Sequence, residues 1–189
     1  MPTLPIEIWK DRIKNEIKSL NNLKVIEKNS IVWQDNSVEF LIKIKALGFT
    51  LGDSTDKVNL IPQISHRIFL KINRSFPYPG GIDFAWYSNI FHPNIHPVEL
   101  KSTKKTGTGY ICLNVLKRWS RLSDLETTVK ALQNLVENPN PEDPLKYDIC
   151  LEAASFFKKN SMDSLKEKYR IEEIEEETDN DIIIIDDDD

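Results

Sequence analysis

The sequence predicts a single α+β domain: an N-terminal helix, a four-stranded antiparallel meander and C-terminal helices. Three observations carry this. Apolar residues recur at helical spacing near the start, they alternate with polar ones in SVEFLIKIKALG and RIFLKIN, and helical spacing returns after Ser123. A chain of 189 residues, 40% hydrophobic with four Trp and eight Phe, is long enough to bury a sizeable core in one unit.

The first helix is placed at Ile6 to Leu23, where Ile6, Trp9, Ile13, Ile17 and Leu20 fall on one face. Lys10, Arg12, Lys14 and Lys18 occupy much of the remaining surface. Leu23 to Val32 is a short strand candidate. Ser37 to Gly48 alternates through Val38, Phe40, Ile42 and Ile44, and Ile64 to Asn73 alternates again. The stretch between Phe49 and Ile61 has turn chemistry without periodicity, which predicts a loop or a wide hairpin turn. SFPYPGGID is irregular, because its prolines remove donors and its glycines free the backbone. A last strand follows in FAWYSNI and stops at HPNIHP. Ser123 to Val136 reads as a helix with Ser123 as N-cap and Glu126 as the matching box residue. ENPNPEDP ends it. Leu145 to Lys159 and Ser161 to Glu173 are two further helices.

Charge is unevenly placed. The net formal charge is -5, yet from Ile171 onward acids stand without a single Lys or Arg, so the body is mildly basic and the tail strongly acidic. Two units follow: a core domain over residues 1–170 and an acidic tail over 171–189 that composition predicts to be disordered. The tail holds four consecutive isoleucines flanked by acids, a β-prone segment suited to joining the exposed sheet edge of a basic-rimmed partner. The body's lysines are scattered rather than striped with aromatics, so no nucleic acid is expected as a partner. The start, MPTLPIEIWKD, shows no basic segment followed by an apolar run, and no apolar run approaches a membrane span. A cytoplasmic protein is expected, with no membrane association and no disulfide between Cys112 and Cys150. Two cysteines and three histidines without close Cys pairing make no structural zinc site, so no metal is expected.

The chemistry concentrates in SNIFHPNIHPVELKSTKKTGTGYICLNVLKRWS, Ser88 to Ser120, which holds Cys112, His92 and His96 among turn-forming residues. By composition alone a cysteine between Ile and Leu is more often a small buried hydrophobe than a nucleophile. A hydrolase would need a histidine base and a carboxylate behind it, and no spacing of His66, His92 and His96 singles out such a set. A thiol without an adjacent base suits exchange of activated acyl groups better than attack on an amide.

IFHPNI, GYICLNVL, a Trp seven residues after the cysteine and ENPNPEDPL follow one another here in an order that resembles the ubiquitin-conjugating enzyme (E2) family. The resemblance runs from DRIKNEIKSL to about Phe157, and YPGGIDFAW is similar to the family's proline-rich turn, with Gly80 and Gly81 where prolines usually stand. It implies the family's fold and a transferase that takes ubiquitin or a ubiquitin-like modifier from an activating enzyme as a thioester on Cys112 and passes it to a lysine amine. In that reading Asn94 stabilises the oxyanion or holds its own loop. Asp143 faces and orients the incoming lysine. Glu142 and Tyr147 stand at the rim, His92 bonds backbone, and Trp119 packs beneath the cysteine segment. The alternative is a noncatalytic E2-like module that only binds a modifier. The family's inactive variants lack the cysteine, so its presence beside HPN favours the enzyme.

The resemblance also implies partners. Arg12 and Lys14 would meet the activating enzyme (E1), while Tyr78 and Ser120–Leu122 would meet a ligase (E3). Substrate proteins would offer lysines. No cofactor is implied on this chain, since ATP is consumed by the activating partner. Departures from the family pattern are a spacing of 17 residues between Asn94 and Cys112, with HPVELKSTKKTG carrying Lys101, Lys104 and Lys105, together with Asn114, Arg121 and Leu122 where other residue types are usual.

Overall fold

The computed structural model describes residues 3–52, 59–78, 80–100, 106–112 and 124–169. Trp119, Asn114, Ser120–Leu122, the insert lysines and the acidic tail lie outside the described residues.

The opening helix, α1, spans Ile6–Asn22 and buries Trp9, Ile13, Ile17 and Leu20 of the face that the helical spacing marks out, while Ile6, at its first turn, is exposed. It leans on an antiparallel sheet in the order β1-β2-β3-β4, formed by Val32–Trp33, Ser37–Leu51, Leu60–Asn73 and Ile82–Trp86. The register pairs Val38 with Ile72, Phe40 with Leu70 and Ile42 with Ile68, so one face is continuously apolar. The same register puts Glu39 beside Lys71 on the other face, where their charged groups meet at 2.7 Å. The four-stranded meander and its flanking helices are those expected.

Boundaries differ for physical reasons. β2 and β3 extend into the stretch predicted as loop, to Leu51 and from Leu60, because Phe49 and Leu60 are buried in a second apolar cluster with Phe91, Ala153, Phe157 and Leu165. Between Leu23 and Val32 the chain makes only an isolated bridge, Ile26 to Ile42, and the strand proper is Val32–Trp33. β4 stops at Trp86 because the Tyr87 and Ser88 N–H groups both turn to the Arg67 carbonyl. Helix α2 spans Leu125–Glu137, and its N-cap is Asp124, not Ser123: the carboxylate accepts from Thr127 N at 2.6 Å. Hydrogen bonding to Thr127 holds the Asp124 carboxyl below its ordinary range. Helices α3, Asp148–Phe157, and α4, Met162–Tyr169, follow.

One tie between elements was not visible in the sequence. Glu16, buried on α1, accepts from the Leu125 N–H at 2.8 Å and from Arg12 Nε at 3.2 Å. It thereby satisfies an orphan donor at the start of α2 with a carboxylate on the side that the helix dipole favours.

Candidate functional site

A second small sheet sits beside the meander. β5, Ile95–His96, pairs antiparallel with β6, Tyr110–Ile111, and so folds the sequence after HPN back on itself. This pairing brings Cys112 to Asn94 despite the long insert: the Cys112 N–H donates to the Asn94 carbonyl at 2.8 Å. The insert's ends are closed by Gly107 N donating to Val98 O at 2.8 Å and by a contact of 2.8 Å between His96 Nδ1 and the Thr108 hydroxyl.

Asn94 is buried, and both of its amide donors and one acceptor position of Oδ1 are in use. Nδ2 donates to the carbonyls of Asn140 at 3.0 Å and Asp143 at 2.9 Å, and Oδ1 accepts from Asn140 N at 2.8 Å. These bonds hold the ENPNPEDP loop against the HPN turn, with Leu145 N donating to Pro93 O at 2.9 Å. Of the two roles expected for Asn94, holding a loop is the one its bonds describe. The structure thus brings Cys112, Asn94 and the Asp143 backbone to one corner, while the exposed Glu142 turns to Lys158 at 3.2 Å.

The histidines are occupied elsewhere. His92 Nε2–H donates to Leu135 O at 3.0 Å, and its Nδ1 accepts from Asn94 N at 3.0 Å. Burial lowers its pKa to about 3, so it is neutral, the backbone-bonding histidine expected. His66 bonds Ala46 O at 3.1 Å, and burial lowers its pKa to about 4. His96 stacks on Tyr147, with ring centroids 3.8 Å apart and planes at 6°, and partial burial lowers its pKa as well. Sequence reasoning put Tyr147 at the rim but missed this stack, which joins residues 51 apart and leaves no periodic signal. Cys150 is buried, its thiol pushed up to about 12 by desolvation, with Sγ 3.4 Å from Ile95 O.

With this geometry in view, the comparisons are specific about family. The family model described as ubiquitin-conjugating enzyme matches residues 63–170. The chain belongs to the ubiquitin-conjugating enzyme (E2) family. A ubiquitin-conjugating enzyme E2 2 from Aspergillus fumigatus is 29% identical over 102 residues, covering 53% of this chain and 57% of that protein. A ubiquitin-conjugating enzyme E2 N from Drosophila melanogaster is 32% identical over 93 residues, covering 46% of this chain and 52% of that protein. The chain spans about half the length of the curated relatives it matches. Among solved structures, S. cerevisiae Ubc12 aligns over 87% of this chain and 90% of its own at 21% identity, with a TM-score of 0.42. The α+β arrangement of helix, four-stranded sheet and C-terminal helices is the E2 fold.

Membership does not carry the chemistry expected from it. The expectation of an acyltransferase that forms a thioester on Cys112 and discharges it to lysine is corrected. Among the described residues no cysteine stands in a catalytic arrangement. Cys112 is half-buried and bonded through its backbone, the Asn94 amide is spent on backbone groups, and each histidine is engaged away from the thiol. Among the described residues no group of three or more His, Cys, Asp or Glu could hold a metal ion. The E2 fold and family stand; the enzyme, transferase and thioester assignments do not. Among the described residues no helix is long and apolar enough to cross a membrane.

Proposed function

We propose that this chain is a noncatalytic E2-like module that binds ubiquitin or a ubiquitin-like modifier. The observation that supports the reading is the use of both Asn94 Nδ2 donors by the Asn140 and Asp143 carbonyls, with Oδ1 accepting from Asn140 N, which favours a fixed surface beside Cys112. A surface fixed in advance loses little entropy on binding.

The rest of the reading extends from the family. The module is one core over residues 1–170 followed by the acidic tail 171–189, and it works in the cytoplasm. Its modifier rests against the Asn94, Cys112 and Asp143 corner. Activating-enzyme-type partners approach α1, where Arg12 is half-exposed beside Glu16 and Lys14 pairs with Asp11 at 3.6 Å. Ligase-type partners approach Tyr78, 39% exposed, and Ser120–Leu122.

The test joins a binding measurement to a charging assay. The chain is titrated into ¹⁵N-labelled ubiquitin and ubiquitin-like modifiers, then incubated with activating enzyme, ATP and modifier and run on a non-reducing gel. Saturable binding with no reductant-sensitive adduct is expected. An adduct on Cys112 that discharges to lysine overturns the noncatalytic reading, and absence of binding to every modifier overturns the module.

A further inference from the structure

The small sheet beside Cys112 carries an aromatic face that the function proposed above does not use. In the β5–β6 register His96 stands directly opposite Tyr110, so their side chains share one side of the pair, while Ile95 and Ile111 are buried on the other. Tyr147 lies flat on the His96 ring, with centroids 3.8 Å apart and planes at 6°. Tyr110 is 47% exposed and Tyr147 is half-buried, and Cys112 follows just beyond Ile111.

These rings are fixed before anything binds. Thr108 N donates to His96 Nδ1 at 3.2 Å, and the Thr108 hydroxyl meets the same nitrogen at 2.8 Å while accepting from Tyr110 N at 3.2 Å. Nδ1 is therefore an acceptor, and partial burial lowers the His96 pKa, so the imidazole is neutral near neutral pH. Tyr147 is held through its backbone: its carbonyl accepts from Cys150 N and Leu151 N at the start of α3, each at 2.9 Å. Uncharged, preorganised aromatic faces attract a cation, and a planar guanidinium stacks on them better than a compact ammonium. Charge agrees. Besides Glu142, which meets Lys158, the loop that carries Tyr147 brings the exposed Asp143 and Asp148 against one lysine, Lys146. A nucleobase would find the rings but bring its phosphates to these acids.

We propose that Tyr110, His96 and Tyr147 form a binding site for an arginine side chain carried on an extended segment of the modifier that the body binds. This rests on the modifier-binding reading and goes beyond it by naming the side chain recognised and the rings that recognise it. Asp143 and Asp148 draw the guanidinium in, and Tyr110, the exposed ring, offers the face on which it stacks.

The experiment titrates the ¹⁵N-labelled full chain with end-capped Gly-Gly-X-Gly-Gly peptides, in which X is arginine, lysine or citrulline, and with a single-stranded oligothymidine. Saturable shifts at the His96, Tyr110 and Tyr147 amides are expected with arginine, weaker ones with lysine, and none with citrulline, which keeps the plane and loses the charge. Shifts as large with lysine or citrulline, or shifts with the oligonucleotide alone, overturn the proposal. Tyr110→Leu and Tyr110→Phe are then titrated into ¹⁵N-labelled ubiquitin and ubiquitin-like modifiers, the amide spectrum of each variant checking its fold. The Leu variant, without the ring, is expected to bind about threefold or more weakly, and the Phe variant, which keeps it, as wild type does. Equal binding by the Leu variant and wild type overturns the site and leaves the module standing. Arginine-peptide binding without binding of any modifier keeps the site and overturns its occupant.

Discussion

Asn94 and Asn140 hold each other twice, the Asn94 side chain donating to the Asn140 carbonyl at 3.0 Å and the Asn140 N–H returning to Asn94 Oδ1 at 2.8 Å. With the third bond to Asp143 O, one buried side chain fixes two loops. Asn94→Ala is expected to lower unfolding stability by about 2–4 kcal/mol, since it leaves backbone groups unpaired. Urea denaturation checks this. A midpoint equal to wild type would mean that the two loops are held by other means.

Two buried neutral histidines make stability sensitive to acid. The folded pKa values, about 3 for His92 and about 4 for His66, lie below the ordinary 6.5, so the unfolded chain binds protons that the folded chain refuses. Their contribution is full above pH 6.5 and is lost as pH falls toward those folded values, by about 2 kcal/mol for each histidine at pH 5. Denaturant midpoints between pH 7 and 5 should fall accordingly, and His92→Phe should flatten the slope whatever its effect at pH 7.

Thiol labelling separates the cysteines. Cys150 is buried with its thiol pushed up to about 12, whereas Cys112 is half-buried. Iodoacetamide on the folded protein should label Cys112 and spare Cys150, with the second equivalent taken up only in denaturant. Peptide mapping reads the site, and labelling of Cys150 under native conditions would contradict the packing around α3.

Glu16→Ala should cost about 2 kcal/mol by stranding the Leu125 N–H at the start of α2, and Glu16→Gln should cost less because an acceptor remains. Thermal melts of the two variants test the order. Equal losses would assign the effect to the Arg12 pair instead.

Much of the fold was legible because its signals are local. The face of Trp9, Ile13, Ile17 and Leu20, and the alternation of Val38, Phe40, Ile42 and Ile44, state their own secondary structure. The ends of β2 and β3 were not, since Phe49 and Leu60 are held by helices far along the chain. The same divide runs through the site. Motif order brought out Asn94, Cys112 and Asp143, but the reading of Cys112 as a transferring thiol did not hold. What surrounds a thiol depends on where distant hydrogen bonds go, and no motif records that the Asn94 amide is spent on Asn140 and Asp143. The Glu16 tie and the stack of His96 on Tyr147 are invisible for the same reason.

The closure of the insert by Gly107 N on Val98 O and by His96 on Thr108 makes its interior an attachment point. Lengthening a loop whose ends are already pinned costs only about 0.6 kcal/mol per doubling. A fluorescent peptide or affinity tag spliced between Val98 and Gly107 would therefore ride on the domain without disturbing its core. It would report from within a few residues of Cys112 on whatever comes to rest there.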